Sequence, residues 1–142
     1  MRYTMVPLLV VLSAVLMQAQ SGPCTESAIK EGDLPVADDA FAYMPPYGKP
    51  VLGKPAIQDA HKKSFSDRSN IRRFWGSDRR IVAMSSGDMA YEYGTMQIGY
   101  DSKSEGHQDF KAVMLIVYKL RGGICQEVAM TMQPLEERQG KP

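Results

Sequence analysis

Two side chains in this sequence have the chemistry to move a proton and sit where a fold could use them, His61 and Glu92. His61 belongs to a segment in which Ile57, Ala60, His61, Ser64 and Phe65 recur at helical spacing and form one apolar-leaning face. An imidazole in the middle of such a face titrates near neutral pH, and it serves as an acid or base or as a hydrogen-bonded core residue. Glu92 shares a strand face with Met96 and Ile98 and is the only carboxylate expected there. If that face lines a cavity, burial raises its pKa; if it is the outer face, Glu92 meets solvent or a partner. The adjacent acids Asp38 and Asp39 read as a turn and cap before a strand. No His or Cys at ligand spacing accompanies them, so neither a metal nor a cofactor is expected. No Ser, Thr or Cys nucleophile with a general base beside it can be read.

The elements that must position these groups follow from punctuation and period. Thr25–Glu31 suits one or two helical turns, capped by Thr25 and ended by Gly32. Phe41–Met44 is a short strand stopped by Pro45-Pro46, and Val51-Leu52 is a second extended piece. Pro55 fits the first turn of the His61 helix. Residues 71–85 form a long strand with an irregular middle at Gly76-Ser77-Asp78. Met89–Tyr100, Phe110–Lys119 and Ile124–Met132 are further strands, joined by a polar hairpin at 101–106 and a turn at Gly122-Gly123. Ala112–Tyr118 is apolar at every position, which predicts a strand covered on both faces. One short helix covers only one face of a sheet, so the other calls for a homodimer packed sheet to sheet.

Methionines 44, 84, 96, 114, 130 and 132 all fall on expected strands. Methionine is a soft packer, suited either to a core or dimer contact or to a greasy pocket for varied apolar ligands. In the pocket reading the wall is Met44, Met96, Met114, Ile116 and Met130. Tyr43, Tyr47, Trp75 and Tyr91 add an aromatic rim with polar tips, and His61 joins them.

The 142 residues fit one domain with ordinary apolar and charged content. The first 21 residues read as a secretory signal peptide: Arg2, an apolar run from Met5 to Met17, then small and polar residues. Removing them takes away one base and no acid, so the chain of net charge +1 becomes neutral. Without a basic run, neither nucleic acid nor, once the signal is cleaved, a membrane is an expected partner. Residues 22–134 form the domain, and 135–142 a solvated tail. The expected compartment is extracellular or periplasmic. There the two cysteines, Cys24 and Cys125, could pair as a disulfide, remain two free thiols, or leave Cys24 as a lipid anchor.

Two blocks carry a resemblance. Ala37–Gly48 followed by Gly53-Lys54-Pro55-Ala56-Ile57 gives an acidic turn, a strand, a proline-stiffened loop and a helix start. Ser86-Gly87-Asp88-Met89-Ala90-Tyr91-Glu92-Tyr93-Gly94 gives a strand entry. Their order over residues 32–134 resembles the SnoaL-like, ketosteroid-isomerase-like proteins of the nuclear-transport-factor-two-like superfamily. The resemblance implies an α+β, cone-shaped, curved antiparallel sheet with a helix packed on its concave face. It also implies an opening helix longer than residues 22–31 can form, so that helix is expected to be shortened or missing.

Where the resemblance places the isomerase's catalytic aspartate this chain has Met44, and where it places the oxyanion-binding acid it has Leu115 or Ile116. The helix-borne tyrosine has no counterpart. Positions that commonly hold Trp, Asp and Asn are Cys125, Met130 and Gln133. Isomerisation of that kind needs a base and a donor to the enolate oxygen, so the expectation is a non-catalytic small-molecule-binding or interaction module. The alternatives are a SnoaL-like cyclase or isomerase using His61 or Glu92 on an apolar substrate, and a purely structural dimer.

Overall fold

The structure, a computed structural model, describes residues 22–135. The expected signal peptide and nearly all of the expected tail lie outside them. The elements in chain order are α1 (Glu26–Glu31), β1 (Val36–Tyr43), a 3₁₀ turn at Pro45–Tyr47, β2 (Val51–Leu52), α2 (Lys54–Ser64), β3 (Arg68–Trp75), β4 (Arg80–Ala83), β5 (Met89–Ser102), β6 (Gly106–Arg121) and β7 (Ile124–Pro134). The strands make one curved, unclosed sheet in the order β2-β1-β7-β6-β5-β3, with β4 also on β5. It is mixed rather than wholly antiparallel, because β1 runs parallel to β7.

The long strands β5, β6 and β7 form two hairpins. Arg121 pairs with Ile124, so Gly122-Gly123 is a two-residue turn. Both glycines have positive φ, 56° and 77°, which is the geometry that matches the twist of the flanking strands and that side chains with a Cβ resist. That turn fixes the register from the tip: Leu120 with Cys125, Lys119 with Gln126, Tyr118 with Glu127. Beyond it the ladder slips. Val117 pairs with Ala129, so Val128 is bulged out.

Alternation then sorts the side chains. Ala90, Glu92, Met96, Ile98 and Tyr100 of β5 are buried on the concave face, with Ala112, Met114, Ile116 and Tyr118 of β6. On the convex face lie Tyr91 and Tyr93 of β5, opposite Val117 and Leu115. Tyr43 and Thr131, and Phe74 and Gln97, pair on the same side. The run Ala112–Tyr118 is therefore not covered on both faces within one chain. Val113 and Leu115 are open to solvent while Met114 and Ile116 are buried.

The strand β1 begins at Val36, five residues earlier than expected. Asp38 and Asp39 lie within it rather than in a turn before it. A register irregularity against β7 between Val36 and Phe41 allows both acids to stay exposed, and Asp39 accepts a hydrogen bond from Arg121. Ala37, Ala40 and Ala42 are small enough for Ile57 of α2 to settle on them, which seats the helix over one end of the concave face. Pro55 lies in the first turn of α2, as its missing N–H predicts.

Helix α1 has six residues, capped by the Thr25 hydroxyl on Ala28 N and ended at Gly32. Six residues cannot hold a helix in water alone. Cys24, joined by a disulfide to Cys125 of β7, anchors this one, and Ile29 is buried beneath it.

Candidate functional site

The concave face and α2 enclose a cavity of about 470 Å³, within the range of small-molecule sites. Its interior wall is Met44, Met96, Met114, Ile116, Met130 and Met132, backed by Ile98 and Phe110. Tyr47 from the 3₁₀ turn, Gln58 and His61 from α2, Phe65, and Arg68 and Arg73 from β3 add the polar and aromatic part of the lining. Of the two positions that the isomerase resemblance offered for an oxyanion-binding acid, Ile116 faces the cavity and Leu115 faces out.

A second hollow of about 320 Å³ lies under α1, lined by Ile29, Leu34, Trp75, Arg79, Glu92 and Tyr118 among others. Here Glu92, only 3% exposed, is held on both oxygens. Arg79 Nε and Nη2 donate to Oε2 at 2.9 and 2.7 Å, and the Tyr118 hydroxyl donates to Oε1 at 2.5 Å. The Arg79 guanidinium lies 5.0 Å from the centre of the Trp75 ring. Burial, and then the bond to Glu92, push the Tyr118 hydroxyl far up from its usual range, so it stays a donor.

The chain places Arg79 through the break between β3 and β4. Asp78 accepts from the Thr95 backbone N–H and hydroxyl, which pins the break to β5. Gly94 leaves room for it, since a Cβ there would come within 2.8 Å of Arg79 Cα.

Glu127 joins the two hollows, because it lines both. Among the described residues its carboxyl has no hydrogen bond and no ion pair. Burial, with the negative charge of Glu92 behind it, pushes Glu127 up to about 7. The Tyr47 hydroxyl is raised by burial and by Glu127, against the opposing charge of Arg73.

Of the residues named from sequence, Met44, Tyr47, His61, Met96, Met114, Ile116 and Met130 line the first cavity, and Trp75 lines the second with Glu92. Tyr43 and Tyr91 line neither. Both lie on the convex face, because each is one step out of phase with its inward neighbours Met44 and Glu92. His61 is not buried against the sheet. It is exposed, stacked 4.4 Å from Phe65, and its pKa is lowered by partial burial and by Arg73. His61 and Glu92 therefore do not converge in one cavity.

Glu92 is also not the only inward carboxylate. Counting back from Met132 and Met130 by strict alternation puts Glu127 outside. Counting from the Gly122-Gly123 tip puts it opposite Tyr118 and inside, and the conflict between the two counts is the bulge at Val128. Among the described residues no group of three His, Cys, Asp or Glu side chains could hold a metal.

This arrangement has solved counterparts. A nuclear-transport-factor-two-like superfamily protein from Salmonella enterica serovar Typhimurium superposes with a TM-score of 0.61 at 11% identity, over 77% of this chain and 78% of that one. The chain has the nuclear-transport-factor-two-like cone fold. A ketosteroid isomerase-like protein from Erwinia carotovora shares the cone with a TM-score of 0.58 at 14% identity, covering 71% and 76%. Hexachlorocyclohexane dehydrochlorinase LinA-type3 from Novosphingobium barchaimii does so at 0.58 and 15%, covering 75% and 76%. No protein-family model matches the sequence, and no curated protein matches it significantly. At these identities the likeness is one of fold, and proteins with this cone include enzymes.

Proposed function

We propose that this protein is a secreted or periplasmic module that binds an apolar small molecule inside the cone and pairs as a homodimer through the convex face. The observation that carries the reading is the methionine-lined cavity of about 470 Å³. Methionine's flexible thioether adapts to ligands of different shape. A purely structural role would favour a filled interior. The apolar convex face, with Tyr93, Leu115, Val113 and Phe74 all exposed in the single chain, supports the dimer. The disulfide supports an oxidising compartment. Native mass spectrometry and thermal shift against a panel of hydrophobic metabolites test the binding. The expected result is a retained ligand and a raised melting temperature, both lost when Met114→Trp fills the cavity. A panel without a hit would remove the reading.

A second reading, an enzyme acting by proton transfer on an apolar substrate, is favoured by Glu127 in place of His61 and Glu92. A free carboxyl titrating near neutrality in an apolar cavity is the usual form of a general base. Turnover of a bound metabolite that Glu127→Gln abolishes, with binding retained, would establish it.

A further inference from the structure

The lining of the first cavity is uneven in charge. Arg68 and Arg73, five residues apart on β3, bring two guanidinium groups to it. Both are arranged around one ring. Arg68 lies 4.7 Å from the centre of Phe65, and also 4.2 Å from that of Tyr100, while Arg73 lies 5.7 Å from Phe65. A guanidinium held over a ring by its charge keeps N–H groups available to donate. Among the described residues neither Arg68 nor Arg73 has a salt bridge or a side-chain hydrogen bond. The neighbouring acid, Asp67, feels the charge of Arg68 but makes no ion pair with it; its carboxylate accepts from the hydroxyls of Ser102 at 2.9 Å and Ser104 at 3.1 Å. The charge of Arg73 is felt by His61 and by Tyr47, both of which line the cavity. The acid of the cavity, Glu127, stands on β7, with β6 and β5 between it and the arginines.

We propose that the ligand is an amphipathic organic anion, with a carboxylate held in the N–H edges of Arg68 and Arg73 and an apolar chain lying in the methionine-lined interior. This rests on the small-molecule-binding reading above and names its ligand class. Two guanidiniums gathered beside one aromatic ring match the planar, two-oxygen end of a carboxylate. The interior wall offers Met96, Met114, Met130 and Met132 to a flexible hydrocarbon and asks nothing polar of it. A cationic amphiphile would place its charge in a cavity that two arginines line, with one acid, Glu127, to offset them.

The test is isothermal titration of the full chain with three probes of equal length: decanoate, decan-1-ol and decylammonium. Decanoate is expected to bind at least about tenfold tighter than decanol, a gain typical of charge-assisted pairing. Decylammonium is expected to bind weakest. Added sodium chloride should weaken decanoate and leave decanol unchanged. Arg73 is exposed and unpaired, so Arg73→Gln should fold. It should erase most of the preference for decanoate while decanol binds as before. Equal binding of decanoate and decanol, or tightest binding of decylammonium, would overturn the assignment while leaving the cavity a ligand site. Binding of none of the three removes the ligand-binding reading itself, and this inference with it.

Discussion

Glu127 stands directly opposite Tyr118 in the β6–β7 ladder. Tyr118 in turn donates to Glu92, so two carboxylates and one phenol share the same side of the sheet. Their fates differ because of what surrounds them. Glu92 is compensated by Arg79 and Tyr118; Glu127 has no such partner among the described residues. The buried acid is built into the scaffold, and the half-buried one is left without a side-chain partner.

That difference sets a pH dependence. Glu127 is pushed up to about 7 in the fold from its ordinary value of 4.5. The folded state then binds more protons than the unfolded state between those values, so stability is highest below about 4.5 and falls as pH rises through about 7. The span corresponds to roughly 3–3.5 kcal/mol. Glu127→Gln should match the wild type near pH 4.5 and exceed it in stability above pH 7.5 or so. Urea unfolding across that window checks it; identical pH profiles for the two proteins would remove the assignment.

The Arg79–Glu92 pair predicts an asymmetric mutant cycle. Arg79→Met leaves a nearly buried carboxylate with only Tyr118, and the loss should be about 3–5 kcal/mol. Adding Glu92→Gln removes the stranded charge, and the double variant should recover most of that stability. Chemical denaturation of the four proteins measures the coupling. Additive losses would mean that the pair is solvated rather than enclosed.

The disulfide predicts a local effect on top of a global one. Cys24–Cys125 closes a loop with a sequence separation of 101, for which chain entropy sets a ceiling of about 4–5 kcal/mol. The variant with both cysteines changed to serine should lose a good part of this. It should also lose amide protection in α1 well before β5 and β6, because α1 is too short to persist without its anchor. Hydrogen exchange by mass spectrometry separates the two effects. Protection of α1 unchanged in that variant would show that Ile29 alone holds the helix down.

Much of this was legible in the sequence, for reasons that particular residues make plain. Thr25, Gly32 and Pro55 mark helix ends through backbone hydrogen bonding, which is local, and the helices start and stop there. Glu92, Met96 and Ile98 share a face because β5 alternates over that stretch. The sequence was less informative wherever a long-range register decides. Glu127 faces inward only because β7 bulges at Val128, and Asp38 and Asp39 lie in a strand only because β1 slips against a parallel partner. His61 has helical phase toward the cavity, but it lies near the end of a helix that seats only Ile57 deeply, so it stays exposed. The convex face is the other such case. An unbroken apolar strand says that both faces want cover without saying what covers the second.

That outer face supplies the last prediction. Leu115 lies between Tyr93 of β5 and Thr131 of β7 in the ladders, near the middle of the sheet, and is 40% exposed in the single chain. A leucine buried in a sheet-to-sheet contact contributes about 1.5–3 kcal/mol, and each copy of a two-fold dimer presents its own. Leu115→Lys places a charge at both positions. The wild-type protein should therefore sediment as a dimer and Leu115→Lys as a monomer, with the circular dichroism of the sheet unchanged. A variant that remains dimeric, or a wild type that is monomeric at high concentration, would show that the convex face is not where copies of this chain meet.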